Sequence, residues 1–147
     1  MATALITEKE LRIWAMDKPE YNTLVDGVKF GPAEIEQAQI HVVDVFNILP
    51  PPGPLFTVET FPSRAIMLIG VWGHLLKGAA INEAQNELEY SADGVQINDR
   101  SHAKMFIEIG NQYWQEFIDL SKQIKLSHNI HNAYGGHGSE YRWRARW

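Results

Sequence analysis

Cysteine is missing from this 147-residue chain. Its absence excludes a disulfide framework, thiolate catalysis and a thiolate-held metal, and it fits an intracellular assembly route. Long uninterrupted apolar runs are missing too. The longest, residues 65–81, contains Gly70, Gly73, His74, Lys77 and Gly78, and it is too short and too interrupted to cross a bilayer comfortably. No membrane partner is expected. The first residues lack a basic region followed by an apolar core and a small-residue cleavage site, so no signal peptide is expected either. Basic charge is scarce over most of the chain. Residues 1–99 carry 14 acids against 6 Lys and Arg, whereas residues 100–147 carry 4 against 7, and the formal net charge is −5. An acidic body is ill suited to wrapping nucleic acid, whose binding draws on displacement of phosphate counterions by Lys and Arg.

What the chain does have is a core's worth of apolar residues, 45% of the total, enough for one domain with appended arms. It also has an unusual C-terminal segment. Behind Gly135-Gly136-His137-Gly138 come Tyr141, Arg142, Trp143, Arg144, Arg146 and Trp147, in which large rings alternate with guanidinium groups. Such a segment cannot build a core of its own, and arginines suit a partner's groove better than a monomer's interior. Trp143 and Trp147 are the expected anchors, and Arg142, Arg144 and Arg146 are expected to select the partner.

The periodicity predicts a mainly α protein: a small helical bundle with one β-hairpin and extended N- and C-terminal arms. Thr7-Glu8-Lys9-Glu10 reads as a capping box opening a short helix that Lys18-Pro19 ends. Gly31-Pro32 opens a second helix, apolar at Ile35, Ala38, Val42 and Val45 or Phe46, which Pro50-Pro51-Pro52 stops. A third starts at Pro62 and runs to about Glu83, with apolar residues pointing nearly all round, as befits the centre of a bundle or a subunit boundary. A two-residue Asp93-Gly94 turn would place Leu88, Tyr90, Ala92, Val95 and Ile97 on one face of a hairpin over residues 87–98. That face needs cover, so Leu88, Tyr90, Val95 and Ile97, with Trp72 and Trp114, are expected at contacts between subunits. A fourth helix follows to about Leu126, with Phe106, Ile109, Tyr113, Phe117, Leu120 and Ile124 forming its stripe. The expected division is an arm with a short helix over residues 1–30, a helical core over 31–126, and an extended tail over 127–147.

Several of these pieces occur in a telling order. Residues 24–30 (Leu-Val-Asp-Gly-Val-Lys-Phe), Val43-Asp44-Val45-Phe46-Asn47 before the prolines, residues 86–95 (Asn-Glu-Leu-Glu-Tyr-Ser-Ala-Asp-Gly-Val), then Lys125, Asn129, Ala133-Tyr134-Gly135-Gly136 and Ser139-Glu140-Tyr141 succeed one another. In this the chain resembles small virion proteins of tailed bacteriophages, and most of all the neck or head-tail connector (adaptor) proteins. The resemblance implies a helical adaptor with a hairpin, repeated as a twelvefold ring beneath the portal protein. The ring would touch neighbouring copies of itself and other neck or tail proteins, and DNA would pass through its lumen without sequence-specific binding. It implies location in the virion after assembly in the host bacterial cytoplasm, no catalytic residues, no metal and no cofactor. A stopper or tail-completion protein is the nearest alternative, and a DNA-binding accessory a more distant one.

Other constellations have plainer readings. His128, His131 and His137 lie close together without Cys or Asp beside them, which suits polar loop histidines better than a metal. His41 and His74 sit in apolar helical contexts, as core or interface residues do. Glu87 and Glu89 share one side of a strand and read as a solvated face, and Ser139 near His137 lacks the elbow and third partner that would activate it.

Overall fold

The structure, a computed structural model, describes residues 6–20, 27–85, 89–92, 95–98 and 100–134; for 89–92, 95–98, 100–101 and 134 it describes the backbone alone. Four helices dominate it, and the chain is mainly α.

Helix α1, Glu8–Ala15, begins with the expected capping box: Glu10 N donates to Thr7 Oγ1 at 3.3 Å, and Thr7 N donates to Glu10 Oε2 at 3.0 Å. Those bonds satisfy two donors that a helix start otherwise leaves bare. The helix stops before Lys18-Pro19, at Met16 in the left-handed region (φ 56°). Helix α2, Pro32–Ile48, starts on its first-turn proline, and the Glu34 carboxylate accepts from Gly31 N at 2.7 Å. Its last turns bury Val42, Val43 and Phe46.

Helix α3, Arg64–Gln85, lies between α2 and the 35-residue α4, Arg100–Tyr134. By length and composition α3 could cross a membrane, but half of its most apolar window is buried inside the bundle. Where α3 and α4 cross, side chains give way to backbone. A Cβ on Gly73 would stand 2.9 Å from Trp114 N, and one on Gly110 would stand 3.2 Å from Leu76 Cβ. Gly70 is filled from outside by the Phe117 ring and Val42. Gly70 and Gly73 of α3 and Gly110 of α4 are therefore the surface over which the two helices approach each other. Around this crossing Phe46, Met67, Val71 and Phe117 are fully buried.

Strands β1 (Glu89–Ala92) and β2 (Val95–Asn98) pair antiparallel, Tyr90 opposite Ile97 and Ala92 opposite Val95. Leu88 and the Asp93-Gly94 turn lie outside the described residues, and so do the side chains of Tyr90, Val95 and Ile97 that were expected to face a neighbour.

Two expected boundaries need correction. The described part of residues 1–30 is no free arm. Ile6 and Leu11 belong to the core, and Gln39 holds Ile6 from both sides, its Oε1 accepting from Ile6 N at 3.2 Å and its Nε2 donating to Ile6 O at 3.1 Å. Buried Asp17, ion-paired with Arg12 at 3.0 Å, accepts from Lys29 N and Phe30 N and so ties the end of α1 to the segment before α2. Nor does a tail begin at residue 127, because α4 continues to Tyr134. Nothing between Leu126 and Gly135 is a helix breaker, so the polar character of that stretch marks exposure, not an end.

Candidate functional site

Asn47, Lys125 and Asn129, widely separated in the chain, meet at the proline turn. The Asn47 side chain spans the loop to Phe56, its Oδ1 accepting from Phe56 N and its Nδ2 donating to Phe56 O, both at 2.9 Å. From α4, Lys125 Nζ donates to Leu49 O at 2.6 Å and to Asn47 O at 3.3 Å, and Asn129 Nδ2 donates to Pro52 O at 3.0 Å. The carbonyls left over at the end of α2 thus find their donors on another helix. The Lys125 stem is buried and its ammonium lies 5.0 Å from the Phe46 ring centre, and burial pulls its pKa below the usual lysine value. Asn47→Ala removes two part-buried hydrogen bonds and is expected to cost about 2 kcal/mol of unfolding free energy in urea titrations. Asn47→Asp is expected to be no better, since a carboxylate accepts from Phe56 N but faces Phe56 O with another acceptor.

Apolar side chains stand uncovered at this same end. Ile48 is 81% and Leu55 82% exposed, and Leu126 and Ile130 lie one turn apart on the last turns of α4, also exposed. Burying such residues is worth about 1.5–3 kcal/mol each, so each one left in water is a place that gains from a partner.

A second place is a groove of about 610 Å³ where the first turns of α2 splay from the last turns of α3. Phe30, Leu75 and Ala79 form its apolar floor; Glu34, Gln37 and His74 are among its polar walls. Lys29 lines it as well, engaged by Glu83 at 3.5 Å and lying 3.8 Å from the Phe106 ring centre.

At the edge of the groove the rings of His41 and His74 approach to 4.4 Å between centroids, and Trp114 stacks on His41 at 5.7 Å. Lys77 Nζ lies 5.1 Å from the Trp114 ring centre. Half-buried His74 is therefore surrounded by His41 from α2, Lys77 from α3 and an indole from α4, with the Glu34 carboxylate on the same groove. Burial first, then the charges of His41 and Lys77, lower its pKa below 6.5. The unfolded chain takes up this proton at a higher pH than the folded one, so stability falls as pH drops below the unfolded value. His74→Gln is expected to flatten the decline in melting temperature between about pH 7 and pH 5, read by calorimetry.

The other sequence-derived candidates divide cleanly. Trp72 and Trp114, expected between subunits, are half-buried and spend much of their faces inside the chain. Trp72 packs edge-on against Trp14 (6.1 Å) and Phe30 (5.7 Å), and Trp114 packs on Phe117 (5.2 Å). Tyr141, Arg142, Trp143, Arg144, Arg146 and Trp147 lie outside the described residues. No group of three or more His, Cys, Asp or Glu fit to hold a metal occurs among the described residues. The groove and the pairing of His41 with His74 had no signal in the sequence, since they join residues far apart in the chain. No family model matches the chain, and no curated protein or solved structure does.

Proposed function

We propose that this chain is a virion structural protein of a tailed bacteriophage, a head-tail connector (adaptor) whose copies form a ring joining the portal to the tail and letting DNA pass. The observation that carries this reading is the end of the body at the proline turn. Asn47, Lys125 and Asn129, three residues of the connector-like pattern, hold one another's segments there, and next to them in the sequence Ile48, Leu55, Leu126 and Ile130 are left exposed. A residue set that braces one end of the bundle while apolar side chains near it in the sequence stay exposed suits a protein completed by its neighbours. The acidic body fits a conduit for DNA, because a wall without counter-charges does not grip phosphates. The basic aromatic segment after Tyr134 serves as the strap.

The test is negative-stain imaging of the chain mixed with portal rings. Rings stacked on the portal are expected, and removal of residues 135–147 is expected to reduce stacking severely while leaving α4 whole. Portal rings that stay bare with the full chain would refute the connector role.

A further inference from the structure

We propose that the groove between α2 and α3 receives the aromatic-arginine segment of a neighbouring copy, with Trp143 over Leu75 and Ala79 and with Arg144 paired to Glu34. This rests on the assembly reading above and names where the strap docks.

Three observations converge on that occupant. The first is shape. Ala33, Gly78 and Ala79, all small, line the groove, and with no atom within 4 Å of where a Cβ on Gly78 would stand the space there is open to a large ring. The second is charge. Lys29 on the groove is paired with Glu83, and the carboxylate of exposed Glu34, which also caps α2 at Gly31 N, is opposite in sign to Arg142, Arg144 and Arg146. Guanidinium and carboxylate make the stronger kind of hydrogen bond when a docked ring keeps water away.

The third is reach, and it decides which copy supplies the segment. Gly110 touches Leu76 and Lys77, level with the groove, and α4 then runs away from it to Tyr134. Those 24 residues carry the chain about 36 Å along the helix axis. Trp143 comes 9 residues after Tyr134, and a fully extended chain of that length covers at most about 32 Å. Trp143 falls short of its own groove before any sideways travel around α3 is counted. Trp147, 13 residues after Tyr134, spans at most about 47 Å, so the length limit applies to Trp143. A neighbour displaced along the ring has no such restriction, and a strap of this kind closes head-to-tail contacts into a ring.

Because the chain has no cysteine, the pairing is testable in full-length protein by site-directed cross-linking. Gly78→Cys protein is mixed with Ala145→Cys protein under mild oxidation, with Lys9→Cys in place of Gly78→Cys as the surface control. The expected result is a disulfide-linked pair of chains well above the control. Adding Glu34→Lys to the groove copy should lower the yield about tenfold, and Arg144→Glu in the strap copy should restore it. A yield no higher than the control, or one indifferent to the charge at position 34, overturns the proposal. So does a Gly78→Cys/Ala145→Cys double variant that closes within single chains. Cross-linked pairs that never form rings on the portal would sink the connector reading and leave the groove assignment standing; stacked rings without cross-links would do the reverse.

Discussion

Phe117→Ala is expected to lower the unfolding free energy by about 4 kcal/mol, enough to drop the melting temperature by roughly 10 °C. The ring is fully buried, fills the space beside Gly70 and stacks at 5.2 Å on Trp114, so truncation opens a cavity where α2, α3 and α4 all meet. On the Gly70 side its neighbour is the α3 backbone, which cannot collapse inward. Phe117→Leu keeps most of the volume and is expected to lose well under half as much. Equilibrium urea unfolding, with an unchanged slope, is the measurement; similar stability for the alanine variant and the parent would mean that α4 is not packed on α3 as described.

Gly73→Val is expected to cost about 3 kcal/mol by the same measurement. A glycine within a helix usually weakens it, and alanine in its place gains about 1 kcal/mol. At Gly73 that gain is overwhelmed, because an added Cβ would lie 2.9 Å from Trp114 N and 3.2 Å from Gly110 O. Backbone atoms cannot swing aside as a side chain does, so the two helices would have to part. Gly78 on the same helix provides the opposite sign. Nothing lies within 4 Å of its Cβ position, and Gly78→Ala is expected to stabilise by up to about 1 kcal/mol. Equal effects at the two positions would contradict the crossing.

These positions also mark how far the sequence could be read. Local signals were legible where one residue's chemistry settles the matter: Thr7 with Glu10 for the start of α1, Pro32 and the proline run for the limits of α2. The stripe on α4 was legible through Phe117, whose burial follows from its period. The glycines of α3 read only as interruptions, since close approach of two backbones is a property of pairs of helices and leaves no periodic trace. The polar stretch after Leu126 points to a helix end there, whereas the next breaker is Gly135 and α4 runs to Tyr134. The described N-terminal residues read as an arm because the bonds holding them reach Gln39 and Lys29, well along the chain. At the candidate site, Asn47, Lys125 and Asn129 stand in the sequence only as separate pieces of one ordered pattern, and nothing there pairs them. Their shared turn depends on α4 lying against the end of α2, which no single stretch of sequence encodes.

The central claim is that one copy of this chain is unfinished and is completed by burial against others. Sedimentation velocity over a wide concentration range tests it most directly, comparing the full chain with an Arg142→Glu/Arg144→Glu/Arg146→Glu variant. The expected result is a mass that rises with concentration above the 16.8 kDa of one chain for the parent, and much less for the variant. A parent that stays at the mass of one chain at the highest concentrations, indistinguishable from the variant, would contradict the claim.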